Sequence, residues 1–442
     1  MNSPERKEAL LKETVAALAH RLSQKYKEVL PAVFTAEEKE KFARMFENCF
    51  VSTANTTTQF LEGGETYVFT GDIEAMWLRD SSAQVVHYLP FVNEEPILKE
   101  MVAGLIARQM RYIVIDPYAN AYNIEANGAC WSKDETDSND WEWERKYEID
   151  SLCYPVWLLH NYVETTKDTS VFTETVKTAL ETIIKTWKVE QNHSTESPYY
   201  FIRRNSWYLD QMSEDGKGAP VAYTGMTWSG FRPSDDACTY GYLVPSNMFA
   251  SVVLGYIAEY AETQYNDADM AAAARQLKKE IEDGIEKYAM RNLEGIGETY
   301  VYETDGYGND VWMDDANVPS LLSMPWLGWC DKEDERYLNT RKWLFSSKNP
   351  YYFEGAAAKG IGSPHTEKNY AWHIALCMQG LTSVSDEEKT GLVKTLLHTD
   401  GDKEVMHESF DCDDPTKYSR EWFAWANSLF ALFAMEYCNT IA

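Results

Sequence analysis

The chain has 442 residues, 44% of them hydrophobic, and 70 Asp and Glu against 41 Lys and Arg leave it a formal net charge of −29 and a pI near 4.7. So negative a surface repels nucleic acid and anionic membrane and excludes both as partners, and no stretch approaches the roughly 20 apolar residues that span a bilayer. The apolar fraction is enough for a large core, in one big domain or about two to three ordinary ones.

Helical periodicity opens the chain. Ser3 stands in an N-cap position with Pro4 at the first helical position, and Leu10, Leu11, Leu18 and Leu22 are expected on one side. The charged start, Pro4-Glu5-Arg6-Lys7, is not the apolar core of a signal peptide and predicts a cytoplasmic protein. Thr35 followed by Glu38 forms a capping box for a second helix carrying Phe42, Met45, Phe46 and Phe50. Strand-like sequence follows at 66–70.

Then comes the densest polar run, Gly71 to Gln84, with Asp72, Glu74, Arg79 and Asp80 around Trp77, and Ser81, Ser82 and Gln84 behind them. Forked donors, carboxylate acceptors and an aromatic face are what a polyhydroxylated ligand needs. The plainer reading is a helix over 81–90 capped by Asp80 or Ser81, with Val85, Val86, Tyr88 and Leu89 buried. Both can hold at once.

Helical patterns continue at 95–113, 150–165, 169–190, 245–264 and 267–290, with strand-like or turn-rich insertions at 117–131, 198–203 and 299–307. Glu148 and Asp150 stand where the first long insertion enters helix 150–165. In Gly230-Phe231-Arg232-Pro233-Ser234-Asp235-Asp236 a loop carries adjacent carboxylates. They repel, so one holds its proton more tightly than an isolated aspartate, as a general acid at neutral pH must. The alternative is a turn cap in which Asp236 bonds backbone N–H groups.

Shorter helices are expected at 316–327, 333–345, 368–380, 386–398 and 418–438. Between them, Tyr351, Tyr352 and Phe353 add aromatic surface, and Gly360 and Gly362 constrain a loop bearing His365. His407 adjoins Glu408, but no His-Glu-x-x-His pattern exists, so a metalloprotease is unsupported. Glu408, between Met406 and Phe410 in the turn before the last helix, suits a general base; the alternative is a surface glutamate.

No strict repeat, strand–helix alternation or linker interrupts the chain, so residues 1–442 read as a single all-α domain. Helical hairpins repeated about six times predict an (α/α)6 barrel, a toroid of hairpins with long loops and short β insertions at one rim. The eight cysteines stand singly, without Cys-x-x-Cys, as reduced and mostly buried thiols. Nucleotide-binding glycine motifs and the serine-hydrolase elbow are missing, so no nucleotide cofactor and no serine-hydrolase catalysis are expected. An acidic chain with 15 Trp and 28 Tyr fits a sugar-processing enzyme.

Four pieces, Gly71-Asp72-Ile73-Glu74-Ala75-Met76-Trp77-Leu78-Arg79-Asp80-Ser81, Tyr147-Glu148-Ile149-Asp150-Ser151-Leu152-Cys153-Tyr154-Pro155, Phe231-Arg232-Pro233-Ser234-Asp235-Asp236 and His407-Glu408-Ser409, resemble glycoside hydrolase family 125, the exo-acting α-1,6-mannosidases. They run from the first quarter of the chain to its last tenth. The resemblance implies an (α/α)6 barrel and metal-free hydrolysis with inversion at the anomeric carbon. It makes Asp235 the general acid, preferred over Asp236 because it directly follows Arg232-Pro233-Ser234, and Glu408 the general base. Arg79 and Asp80 fall in the implied terminal-sugar pocket, joined by Glu148, Asp150 and His365, while Asp72 and Trp77 are sugar-binding candidates from the polar run itself. The implied substrate is an oligosaccharide with terminal α-linked mannose, from mannan or a trimmed N-glycan; separately, a monomer is expected. Inversion asks for carboxyls about 6.5–9.5 Å apart with a water between. A pocket closed at one end would restrict attack to chain termini, and loop tryptophans and tyrosines would line the rim where the glycan leaves. The alternatives are another inverting (α/α)6 enzyme, such as a glucoamylase-like α-glucosidase, or a sugar-binding toroid without catalysis.

Overall fold

The computed structural model describes residues 3–441. They are mostly helical, with short antiparallel strand pairs between the helices. The chain divides into two compact units, one made of Met1–Glu74, Asp80–Leu105 and Pro350–Ala442, the other of Ala75–Arg79 and Ile106–Asn349.

In the first unit, helix Pro4–Val29 packs on Ala36–Thr56, which packs on Ala424–Ile441. The last of these also packs on His373–Leu381, beside Asp386–His398. Leu11, Val15, Leu18 and Leu22 form the buried stripe of the first helix, while Leu10 is exposed. One residue turns a helix by about 100°, so Leu10 cannot share the face of Leu11. Ser3 has the extended N-cap backbone, yet its hydroxyl makes no cap bond. The expected capping box is present: the Thr35 hydroxyl accepts from the Glu38 N–H at 3.1 Å, and the Glu38 carboxylate accepts from the Thr35 N–H at 2.7 Å. Phe42, Met45, Phe46 and Phe50 are buried as expected.

Two helices of this unit start later than their periodicity indicates, and strand pairing is the cause. Tyr370–Trp372 pairs with Ser409–Asp411, so the 368–380 helix begins only at His373. Tyr418–Ser419 pairs with the other edge of Ser409–Asp411, so the last helix begins at Ala424. This three-stranded sheet holds the segment that starts with Glu408.

In the second unit, helix Val244–Thr263 is buried over most of its circumference and packs on both Ala268–Tyr288 and Ile149–Thr166. The expected 316–327 helix shrinks to Met324–Leu327, because the buried Asp314 carboxylate takes the N–H groups of Leu321 and Leu322 at 2.8 and 3.0 Å. Two small sheets matter for function: Met76–Trp77 with Ala121–Tyr122 and Glu142–Glu144, and Tyr242–Leu243 with Glu303–Thr304 and Asp310–Val311. All eight cysteines are free and most are buried; Cys130 is exposed. Among the described residues no helix is long and apolar enough to cross a membrane.

Candidate active site

In the second unit a carboxylate centre forms around Arg79. The Met76–Trp77 strand pairs with Ala121–Tyr122, and the Leu78 N–H donates to the Asn120 carbonyl at 3.1 Å, which sets Asn120 next to Arg79. Glu148 is the N-cap residue of helix Ile149–Thr166 and Asp150 lies in its first turn. The guanidinium joins them: Nη1 donates to Glu148 Oε2 at 2.6 Å and Asp150 Oδ2 at 3.1 Å, and Nη2 donates to Asp235 Oδ1 at 3.4 Å. Asn120 Nδ2 also donates to Asp235 Oδ1, at 3.3 Å.

The Asp235 loop is stiff. Asp235 has φ +68, the left-handed region, which Asp and Asn enter more readily than other side-chain-bearing residues. Its carbonyl accepts from Lys146 Nζ at 2.7 Å. Arg232, three residues earlier, is buried against Glu303, whose other oxygen accepts the N–H groups of Thr239 and Tyr240 at 2.9 Å. The Asp235 side chain keeps 27% exposure, while Asp236 is buried at 2%. Of the adjacent pair, Asp235 is the more open.

Charge in this centre does not balance. One guanidinium faces three carboxyls, and Lys146 is shared among Asp210, Glu144 and the Asp235 carbonyl. Burial holds Glu148 well above the usual carboxylate range, against the pull of Arg79 and with the help of Asp235 and Asp150. Burial likewise pushes Asp150 up to about 6, again opposed by Arg79. A proton therefore stays within the cluster at neutral pH.

The first unit holds a second centre around Arg420. Glu408 is nearly buried; its Oε2 accepts from Ser419 Oγ at 2.8 Å and its Oε1 from Arg420 Nη1 at 3.4 Å. Arg420 also grips Asp72, with Nε donating to Oδ2 at 3.1 Å and Nη2 to Oδ1. Gly71 bridges to Phe423, which fixes Asp72 at that spot. Burial works against the Arg420 charge, but Asp72, Glu408 and Asp80 outweigh it and hold its pKa above the ordinary value. Both His407 ring nitrogens face backbone carbonyls, those of Glu421 and Asp400, at 3.0 Å, and the ring stacks on Tyr418. His407 is thus a support for the turn.

A family model described as "Metal-independent alpha-mannosidase (GH125)" matches residues 39–435. The chain belongs to this glycoside hydrolase family. The "Meiotically up-regulated gene 157 protein" of Schizosaccharomyces pombe is 36% identical over 416 residues, which cover 89% of this chain and 82% of that one. A solved metal-independent alpha mannosidase of Streptococcus pneumoniae, in a non-productive complex with α-1,6-mannobiose, is 46% identical with a TM-score of 0.90, covering 95% of this chain and 97% of its own. The glucoamylase of Saccharomycopsis fibuligera has a TM-score of 0.51 at 13% identity, over 92% of this chain and 95% of that one. That last likeness is one of fold alone and agrees with the (α/α)6 class expected from the sequence. The chain is a glycoside hydrolase of the α-mannosidase kind.

The sites expected of this family member distribute as follows. Arg79, Glu148, Asp150 and Asp235, drawn from three distant stretches, meet in one centre. Asp72 and Glu408 meet through Arg420, with Asp80 buried in the same unit. Trp77 is buried, and its indole N–H has no acceptor among the described residues. His365 is exposed, its ring edge-on to Trp372 at 6.3 Å. Ser81, Ser82 and Gln84 are fully buried, and Gln84 donates to the Phe69 carbonyl. In place of the expected 81–90 helix stand a short helix Leu78–Ala83, inside which Asp80 and Ser81 lie and so cap nothing, and a 3₁₀ turn Val86–Phe91, with Val85, Val86, Tyr88 and Leu89 buried as expected. Asn120, Lys146, Ser419 and Arg420 went unnoticed in the sequence. Arg420 lies in a stretch whose periodicity looks helical, and Asn120 in one that looks merely turn-rich.

Proposed function

We propose that the enzyme is an exo-acting, inverting α-1,6-mannosidase that releases terminal mannose from mannans or N-glycan fragments, with Asp235 as general acid and Glu408 as general base. An acid must enter the reaction with its proton, and Asp235 shares a single guanidinium with Glu148 and Asp150, so negative charge is crowded around it. A base must enter as a carboxylate, and Arg420 and Ser419 supply Glu408 with a cation and a donor. The observation that carries the reading is the 27% exposure of the Asp235 side chain in an otherwise buried centre. The α-1,6-mannobiose in the Streptococcus pneumoniae relative, described in the processing of N-linked glycans, supports the linkage and the glycan class.

In this reading Asp235 protonates the departing glycosidic oxygen as the C1–O bond breaks, and Glu408 takes a proton from the attacking water on the opposite face of the sugar. Arg79 and Asp80 hold terminal-mannose hydroxyls, and the unpaired Trp77 N–H is a further donor to the sugar. Glu148 and Asp150 act through Arg79, Asp72 acts through Arg420, and His365 stands at the rim. The whole chain works as one catalytic domain and as a monomer. Eight free cysteines support a reducing compartment, the cytoplasm.

Incubation with α-1,6-mannobiose, followed by proton NMR, tests the reading. β-Mannose is expected first. α-Mannose appearing first would overturn inversion, and cleavage of α-1,4-glucosides in place of the mannobiose would overturn the specificity. The pH profile gives a second test. Glu148→Gln removes a carboxyl whose negative charge, once formed, opposes ionisation of Asp235, so Asp235 gives its proton up more readily. The alkaline limb of kcat/KM is expected to move to lower pH by about one unit, with little change on the acid side; an unmoved alkaline limb would contradict the coupling.

A further inference from the structure

Trp207 and Tyr208 stand out among the aromatics. The two residues are 61% and 66% exposed, and their rings lie 4.9 Å apart with planes tilted by 47°. Adjacent large aromatics that remain this open contribute little to the core, and a patch of that kind marks a binding surface. The loop that carries them is not loose. Asp210 and Gln211 donate their N–H groups back to the carbonyls of Trp207 and Tyr208 at 3.0 and 3.3 Å, and Gln211 Nε2 closes on the Ser206 carbonyl at 2.9 Å.

This loop is fastened to the loop of Asp235 at two points. Lys146 Nζ lies 2.7 Å from both Asp210 Oδ1 and the Asp235 carbonyl, so one buried ammonium clamps the two segments together. The Ala237 N–H, two residues past the acid, donates to the carbonyl of Leu209, the residue after Tyr208, at 2.6 Å. On the other side of Asp235 lie Arg79, Glu148 and Asp150, all buried. The backbone of Asp235 is thus tied to the loop of the aromatic pair, while its carboxyl touches the buried, charged cluster and keeps 27% exposure.

We infer that Trp207 and Tyr208 form the platform for the leaving-group sugar, the residue that carries the glycosidic oxygen away. This rests on the reading of Asp235 as general acid. The acid delivers its proton to that oxygen, so the ring attached to it must lie against the acid on the solvent side. A pyranose presents a C–H face to an aromatic ring and hydroxyls to the neighbouring Asn205, Ser206 and Tyr208 polar groups, as amphipathic aromatic surfaces allow. The platform recognises the penultimate sugar and contributes nothing to the terminal mannose.

A comparison of two substrates tests the inference. α-Mannosyl fluoride has the same terminal sugar as α-1,6-mannobiose but no leaving-group sugar. The Trp207→Ala/Tyr208→Ala double variant changes only exposed side chains, so the fold is expected to survive, as circular dichroism and thermal melting would verify. Its kcat/KM on α-1,6-mannobiose is expected to drop about tenfold or more, mainly through KM, while hydrolysis of the fluoride stays within about twofold of the parent chain. An unchanged kcat/KM on the disaccharide, or equal losses on both substrates, overturns the platform. A parent chain inert toward both substrates overturns the mannosidase reading, and the platform with it.

Discussion

Asp235→Asn is expected to lower kcat on α-1,6-mannobiose by about 10²–10⁴-fold, the usual share of a positioned general acid, and Glu408→Gln to do the same for the base. Both changes preserve shape. Asparagine still accepts from Arg79 and Asn120 at its amide oxygen, and glutamine still accepts from Ser419. The two variants are expected to part company on α-mannosyl fluoride, whose leaving group needs no proton. There Asp235→Asn retains much of its rate, whereas Glu408→Gln stays inactive because no carboxylate activates the water. Mannose release measured on both substrates checks this, and full activity of either variant on the mannobiose would end the assignment.

The second large effect concerns Arg79. Arg79→Met is expected to destabilise the fold by about 3–5 kcal/mol near neutral pH, because it leaves buried carboxyls without their cation. The sign with pH follows from the protons. Burial already raises Glu148 and Asp150, with Arg79 the main restraint. Without Arg79 both rise further, so the folded chain binds more protons than the unfolded one above the ordinary carboxylate pKa of about 4. Stability in the variant is therefore fullest below about pH 4 and is lost as pH rises toward the folded-state pKa values. Thermal melts between pH 4 and 8 should fall more steeply for the variant than for the parent chain. Parallel curves would show that Arg79 does not carry this charge.

Much of the helical architecture was legible because its signals are local. The helix at Asp386–His398 has the limits its periodicity indicates, and the Thr35–Glu38 box makes the bonds its spacing promises. The late starts at His373 and Ala424 were not legible, since they depend on strand pairing between segments about 40 and 10 residues apart that no local pattern encodes. The site divides the same way. Arg79, Glu148, Asp150 and Asp235 could be picked out one stretch at a time, as unusual densities of charge. Arg420 and Lys146 look ordinary in sequence and matter only through what they touch: Asp72 and Glu408 for the first, Asp210 and the Asp235 carbonyl for the second.

The left-handed backbone at Asp235 has an evolutionary corollary. Asparagine is among the few residues at ease in that conformation, and a single nucleotide converts an aspartate codon to an asparagine codon. On the proposed assignment, the step that slows the enzyme most is also one its architecture barely registers. Decoys that still grasp the sugar and never cut it lie one mutation away.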